Sequence, residues 1–558
     1  MPGAPLIEVE ALTFRYRRAL EPAIRDLSLR VDGGEVLLVA GPSGCGKSTL
    51  IRAMNGLIPH AYRGDLHGAV RLDGRSTSDL RLRDISLVVG TMLQDPARQI
   101  VGSTVAAELA FGPENLGQPP AQIRERIGQV IAQAAIEALA GRDTASLSGG
   151  ERQLVAMAGT LMLRPRVYVV DEPLANLDPA TARRLLLTLR ALADEGHAVV
   201  IVEHRVEEAL ALRPDRVLYL DEGVARYLGP VDGFLRMADP EAVRLPFEVV
   251  LERARAVAAR EPAPPARPRG PAEPVRLAFE GMTVELGGRP VIRGLTAGLG
   301  ARQVVAVLGP NGSGKTTMFR TAMRLIDPSA GSVSVDGRPA ADRTVAELAR
   351  VFGYVFQSPR QMLFARTVRH ELLFGPRNLG LAMDDADETA RKSLRRASLD
   401  EEGILDRPPL TLSFGQQKRL ALAIGLALRP PTLILDEPSA GQDHRSAARF
   451  MEAVEAISEL ESLYFVTHDV DLALAHADRI LVIRDGELVA DGPPEDVITD
   501  EERWLSCNLY RTSLMAANLA HRPPGSRFLD ASALAQLMVA SESERRHRAE
   551  GGSPAREA

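Results

Sequence analysis

Two stretches of the chain set a lysine and a hydroxyl behind a run of glycines: Gly41, Pro42, Ser43, Gly44, Cys45, Gly46, Lys47, Ser48 and Thr49, and later Gly309, Pro310, Asn311, Gly312, Ser313, Gly314, Lys315, Thr316 and Thr317. A glycine-rich turn presents successive backbone N–H groups to phosphate oxygens, and a helix opening at its end adds a positive dipole terminus at the same point. Lys47 and Lys315 would reach the β- and γ-phosphates of a nucleoside triphosphate. The Ser48 and Thr316 hydroxyls would ligate Mg2+, a hard ion that prefers oxygen donors. Of 67 basic residues only four are lysines, Lys47, Lys315, Lys392 and Lys418. A chain that writes arginine almost everywhere keeps lysine where a compact ammonium on a flexible stem is needed. A turn that binds nothing explains one such match, but not two that both hold a scarce residue.

Each half also ends an apolar, strand-like run in two acids, VYVVDEP at Asp171 and LILDEP at Asp436. In open α/β sheets ligands collect at the carboxyl ends of strands. Asp171 and Asp436 suit Mg2+ through water, and Glu172 and Glu437 suit a general base that polarises an attacking water. Solvation of a loop would account for these acids if no phosphate loop preceded them. His204 and His468 end the runs AVVIVEH and SLYFVTH, 33 residues after Asp171 and 32 after Asp436. That recurrence favours a γ-phosphate contact over a purely structural histidine. LSGGERQ, with Ser148, Gly149 and Gly150, and LSFGQQK, with Ser413 and Gly415, put small residues and a hydroxyl ahead of a helix. A serine-capped helix start suits either alone. Two at matched positions suggest a second anion-binding helix start, aimed at the nucleotide of the opposite half.

These elements form a repeat. The second glycine loop follows the first by 268 residues, and Gln357, LSFGQQK, Asp436 and His468 follow Gln94, LSGGERQ, Asp171 and His204 by 263 to 265. Order and spacing held together point to a duplicated domain. EVLLVAG and QVVAVLG read as strands feeding the glycine turns, and residues 119–140 and 382–404 read as helical lobes. The expected layout is a first domain over 1–240, a linker over 241–274, a second domain over 275–500 and an irregular tail over 501–558. The linker ends in EPAPPARPRGPAEP, Glu261 to Pro274, whose six prolines suggest a semi-rigid spacer.

A chain of 558 residues is too long for one core. With 73 acidic residues and a net charge of -6 it has no global basic field for a phosphate backbone, so nucleic acid is not an expected partner. The stretch between Arg302 and Lys315 is among the longest uncharged ones, too short to span a bilayer. Only Cys45 and Cys507 occur and the start lacks a signal-peptide pattern, so a reducing cytosol is the expected compartment.

In order and spacing, the glycine loop, Gln94 in TMLQDP, LSGGERQ, DEP and His204, with their repeat, resemble the nucleotide-binding subunits of ATP-binding-cassette (ABC) transporters over about residues 5–235 and 275–500. The resemblance implies an α/β fold class of two tandem P-loop NTPase (ABC ATPase) domains, each with a RecA-like core and a helical lobe. They would form an intramolecular head-to-tail pair holding two ATP molecules, each between one P-loop and the other half's signature. It further implies that Gln94 and Gln357 sense the γ-phosphate, join the Mg2+ site and contact the membrane partner. Asp178 and Asp443 would lie in loops coupling the sites, and Tyr16 would stack on adenine.

The segments DPARQIVGSTVAAELAFGPENLG and SPRQMLFARTVRHELLFGPRNLG resemble the energy-coupling-factor importers of vitamins and transition-metal ions. That class implies two partners, an integral membrane coupling protein and a substrate-binding membrane protein. One chain would sit peripherally on the cytoplasmic face of the membrane in each transporter, and the cargo would be chosen by the membrane subunit. Acidic residues are frequent just after Gln-Asp-Pro in that family, whereas Ala97, Arg98 and Arg360 stand here. A fused-cassette sugar importer is the nearer alternative. A translation factor acting on ribosomes or a DNA-repair ATPase is more distant, because the ribosomal class has a long charged helical linker in place of a short Pro-rich one.

The halves also differ. Leu286 aligns with Tyr16 and offers no π-face to adenine, and Phe414 stands where the first signature has Gly149. A side chain at Phe414 would restrict positive φ and crowd the phosphate. The expectation is that the Lys315 and Glu437 site, which meets the unmodified signature, carries most turnover.

Overall fold

The computed structural model describes residues 5–17, 19–175, 177–256, 274–381, 386–523 and 526–550, and it divides into two units, Met1–Pro246 and Phe247–Ala558. In the first unit an antiparallel sheet runs in the order Ile24–Val31, Ile7–Tyr16, Gly64–Leu72, Arg75–Ser76. A second sheet of six strands runs Val224–Gly229, Arg216–Asp221, Val36–Ala40, Ala198–Val202, Val167–Asp171, Val89–Met92. Its first pair is antiparallel and the rest are parallel. Val36–Ala40, Val167–Asp171 and Ala198–Val202 are buried along their whole length, as parallel strands covered on both faces must be.

The second unit repeats both sheets strand for strand. Arg289–Gly300, Val275–Leu286, Ala330–Val335 and Arg338–Pro339 form the antiparallel sheet. Phe352–Val355, Thr432–Asp436, Ser462–Val466, Val304–Leu308, Arg479–Arg484 and Glu487–Gly492 form the other. In each unit the strand that feeds the glycine turn is flanked by the strand before the histidine and by the strand of the final hairpin. Helices Val105–Asn115, Pro120–Ala134 and Gly149–Met162 pack together as the first helical lobe, and Val368–Asn378, Ala386–Arg396 and Phe414–Ala427 as the second. The stretches read as helical, 119–140 and 382–404, thus hold helices, although residues 382–385 lie outside the described residues.

The segments expected to be linker and tail carry more order than their composition suggests. Helix Phe247–Ala256 lies inside the expected linker, and its mate Ala531–Glu550 lies inside the expected irregular tail, with Glu501–Ser506 and Ser513–His521 before it. Phe247 N donates to Ser513 Oγ at 2.8 Å, and Arg255 holds Glu542 through two nitrogens at 3.1 and 2.5 Å. Trp504, Cys507, Leu509, Met515 and Phe528 belong to the core of the second unit. The Pro-rich run lies outside the described residues except for Pro274.

Because Phe247–Ala256 packs on Ser513–His521 and Ala531–Glu550 within the second unit, its hold on those helices should not depend on residues 261–270. With a protease site placed there and cut in the absence of nucleotide, the two fragments should still co-elute in size exclusion, and Phe247→Asp should let them separate. Separation without that substitution would contradict the packing.

Candidate functional site

The glycine turns hold their shape through specific φ values and close approaches. Gly41 has φ 148, and a Cβ there would stand 2.1 Å from Leu220 O. Gly44 has φ 82 with nothing within 4 Å of a Cβ, leaving an open cradle of the kind a phosphate needs. Gly309 and Gly312 repeat both features. Helices Lys47–Met54 and Lys315–Ala322 start at Gly46 and Gly314 with no side-chain cap, so their first N–H groups face the turn. Lys47 Nζ donates to Gly41 O and Pro42 O, and Lys315 Nζ to Gly309 O and Pro310 O, all at 2.8 Å. Both ammonium groups are buried across the mouth of their loops.

Asp171 and Asp436 end their strands beside these loops. Burial first, and then the adjacent Glu172, push the Asp171 carboxyl up to about 7; burial and Glu437 push Asp436 up to about 6. Thr316 Oγ1 and Tyr354 OH donate to the two oxygens of Asp436 at 2.9 and 3.2 Å. Asp171 Oδ1 is buried without a hydrogen-bond partner. A buried carboxylate with an unspent oxygen, next to the Ser48 hydroxyl, fits a Mg2+ ion that completes its shell with phosphate and water. The described residues hold no cluster of three or more His, Cys, Asp or Glu that could hold a metal by itself.

Glu172 and Glu437 have φ 48 and 52, the left-handed region that costs a non-glycine residue about 1–2 kcal/mol. Their N–H groups donate to Val202 O and Val466 O at 2.9 Å, which turns each carboxyl back over the strand end. Glu172 accepts from His204 Nε2 at 2.8 Å and from Gln94 Nε2 at 2.9 Å. Burial raises this carboxyl, but His204, Lys47 and Gln94 outweigh it and hold Glu172 below the usual range. In the second unit His468 Nδ1 lies 2.8 Å from Glu437 Oε2. His468 and Lys315 still hold the buried Glu437 low. Gln357 has no hydrogen bond among the described residues, so the glutamine contact belongs to the first unit alone.

Ser148 and Ser413 are N-caps of complete capping boxes with Glu151 and Gln416. Within each unit the serine-capped helix start is therefore real, and each hydroxyl already accepts one N–H at 3.3 Å. Phe414 does not bear out the strain expected of it. It is the first helical residue of Phe414–Ala427, and Gly149 is helical at the matching place without a positive φ. Backbone restriction therefore has nothing to act on there. The Phe414 ring lies against Gly441 of its own unit and 5.9 Å from Lys418 Nζ.

Asp178 and Asp443 cap helices Pro179–Asp194 and His444–Glu455, accepting from Thr181 N at 3.0 Å and Ser446 N at 2.7 Å. Tyr16 ends its strand with its hydroxyl held by Arg52 Nη1 at 2.7 Å and Thr49 Oγ1 at 3.1 Å. The registers Phe14↔Ile24 and Val284↔Ile292 place Leu286 at the matching point, 45% exposed.

Five buried side chains at these sites escape motif reading. Gln153, Lys418 and Glu203 grip the turn that carries the acidic pair. Glu108 accepts from Val101 N and Gly102 N at 2.8 and 2.7 Å, and Glu371 from Phe364 N and Ala365 N at 3.0 and 2.7 Å. The matched spacing of Glu108 and Glu371 was available in the sequence as a signal.

The ABC transporter family profile matches residues 24–175 and 292–440, one match in each unit. A provisionally named ABC transporter ATP-binding protein of Methanosarcina acetivorans is 31% identical over 549 residues, 91% of this chain and 89% of the relative. Another from Streptomyces coelicolor is 36% identical over 545 residues, 88% of this chain and 95% of the relative. Among solved structures, cbiO1 from Clostridium perfringens is 31% identical and covers 42% of this chain and 95% of its own, with a TM-score of 0.38. With a phosphate loop, a strand-end acid pair and a histidine repeated in both units, the chain belongs to the ABC transporter ATP-binding proteins and carries two ABC ATPase cassettes.

Proposed function

We propose that this chain is the ATP-hydrolysing subunit of an energy-coupling-factor type importer of a vitamin or a transition-metal ion. The observation that carries the reading is a matched apolar surface beside the FGPENLG and FGPRNLG segments. Val101 and Phe111 are 60% and 50% exposed in the first unit; Phe364 and Phe374, at the same positions of the second, are 66% and 50% exposed with ring centroids 4.8 Å apart. Exposed apolar groups repeated at matched places mark a docking surface. Glu108 and Glu371 fix its loop from beneath by accepting two N–H groups each. Pro113, Pro376, Gly117 at φ 74 and Gly380 at φ 63 lie at the ends of the helices that carry Phe111 and Phe374.

In this reading the cassettes are residues 1–240 and 275–500. Lys47 and Lys315 hold the phosphates, while Ser48, Asp171, Thr316 and Asp436, with Gln94 and Gln357, hold Mg2+, which supplies charge neutralisation on the phosphates when bound. Glu172 and Glu437 take the proton of the attacking water, and His204 and His468 orient the glutamates and meet the γ-phosphate. Ser148 with Gly149 and Gly150, and Ser413 with Gly415, close on the nucleotide of the opposite cassette. Asp178 and Asp443 link the two sites, and Tyr16 supports adenine. The subunit sits on the cytoplasmic face of the membrane through an integral coupling protein and a substrate-binding membrane protein. No helix among the described residues is long and apolar enough to cross a membrane.

A tagged chain purified from gently solubilised membranes should bring two kinds of integral membrane protein with it. Ribosomes in their place would overturn the reading. Phe374→Asp or Glu371→Ala should lower that recovery about tenfold or more and leave ATP binding within about twofold, since neither residue touches the phosphate loop. Undiminished recovery with both substitutions would remove this surface from the interface.

A further inference from the structure

Arg52 and Arg320 each stand five residues after the lysine of their glycine loop, in helices Lys47–Met54 and Lys315–Ala322, yet their side chains serve different neighbours. Arg52 Nη1 donates to Tyr16 OH at 2.7 Å, and its guanidinium carbon lies 4.5 Å from the ring centroid of Tyr62. Tyr16 OH shares a second hydrogen bond with Thr49 Oγ1 at 3.1 Å. The Tyr16 ring meets the buried Phe14 edge to face, with centroids 4.8 Å apart, and Tyr62 at 6.2 Å. It is thus held at its hydroxyl and against two other rings, all by residues of its own unit.

The second unit is built differently. Leu286 stands in the place of Tyr16, 45% exposed, and the segment between helix Lys315–Ala322 and strand Ala330–Val335 holds no aromatic residue, where the first unit has Tyr62. Arg320 lies instead 5.9 Å from the ring centroid of Phe356, which meets Tyr354 edge to face at 4.8 Å. The first unit has Leu93 and Thr91 at those two positions, so each arginine goes to the side where its unit offers rings. A guanidinium stacks on an aromatic face and still has N–H groups to donate, which lets Arg52 pack on Tyr62 and hold Tyr16 at once. A ring fixed before its ligand arrives loses little freedom on binding, so more of its stacking energy appears as affinity.

We propose that Arg52 and Tyr62 are positioning residues that fix Tyr16 as a base platform, so that the Lys47 site distinguishes ATP from a bare triphosphate while the Lys315 site binds the two nearly alike. The inference rests on the reading of Tyr16 as the adenine support.

In the full-length chain, Lys315→Ala leaves the Lys47 site to bind ATP, and Lys47→Ala leaves the Lys315 site. Equilibrium dialysis of labelled ATP with inorganic tripolyphosphate as competitor, at one Mg2+ concentration, reads the preference of each. In Lys315→Ala, ATP should bind about tenfold tighter than tripolyphosphate, and in Lys47→Ala the two should agree within about threefold. Adding Arg52→Met to Lys315→Ala should weaken ATP binding about fivefold and leave tripolyphosphate within about twofold. Tyr62→Leu should weaken ATP about threefold with the same selectivity, and Arg52→Lys should recover part of the loss. An unchanged ATP affinity in Arg52→Met, or an equal loss for ATP and tripolyphosphate, would overturn the proposal. So would an ATP preference in Lys47→Ala as large as that in Lys315→Ala. Should Arg52→Met fail to fold, an unchanged preference in Tyr62→Leu would overturn it. If Tyr16→Ala in the Lys315→Ala chain leaves the preference intact, the adenine reading of Tyr16 itself fails; if Tyr16→Ala abolishes the preference and Arg52→Met does not reduce it, only this inference fails.

Discussion

Glu437→Gln should remove nearly all steady-state ATP hydrolysis, a loss on the order of a hundredfold, while Glu172→Gln should cost only a few-fold. General-base catalysis contributes about 10²–10⁴ in rate, so the site that carries turnover must show a loss of that order when its base is neutralised. One feature sets the direction: the Glu437 site, in the shared-site reading, meets the intact signature of Ser148, Gly149 and Gly150. Against it stands Leu286, which in the proposed reading would give adenine a weaker seat than Tyr16, so a higher KM at the Lys315 site is compatible with faster turnover there. Steady-state phosphate release from the two single variants at saturating ATP checks this. Equal losses, or a larger loss at Glu172, would reverse the assignment.

The second large effect concerns the halves. Residues 1–246, made alone and kept monomeric, should hydrolyse ATP at under about a hundredth of the full-length rate, because charge stabilisation in the transition state is lost when the opposing signature is absent. The first unit keeps its own loop, Asp171, Glu172 and His204, and each is supported by contacts inside that unit. ATP binding should therefore survive where hydrolysis does not. Binding by equilibrium dialysis beside phosphate release separates the two. A fragment that turned over at the full-length rate would contradict shared sites.

The phosphate loops were legible because few residue types can do their work. Only glycine tolerates φ 148 with a carbonyl 2.1 Å from its would-be Cβ, and the scarce lysines marked the same place twice. The acid pairs and histidines were legible from the ends of largely apolar runs, and the repeat fixed their pairing. What escaped was held by single contacts. Lys418 was visible as one of four lysines, yet nothing in LSFGQQK shows that its ammonium reaches Glu437 O and Pro438 O across the fold. Glu203 looked like one more acid beside a histidine.

Past Asp500 the helices Glu501–Ser506 and Ser513–His521 are only 6 and 9 residues long, too short for a 3.6-residue period to show. Their order comes from tertiary contacts such as the buried Trp504, whose indole N–H donates to Val497 O at 3.0 Å. Phe414 misled in the other direction. A glycine at Gly149 suggested a backbone need for positive φ, but that glycine is helical and the substitution is a matter of side-chain space alone.

The measurement closest to the central claim is transport. The complex that copurifies with this chain, reconstituted in vesicles with the cassettes facing ATP, should take up one of labelled cobalt, nickel, biotin, thiamine or a thiamine precursor. Uptake should require ATP and Mg2+ and fall to background with Glu437→Gln. Uptake of a sugar, uptake indifferent to ATP, or none of these substrates moving while ATP is hydrolysed would contradict the account.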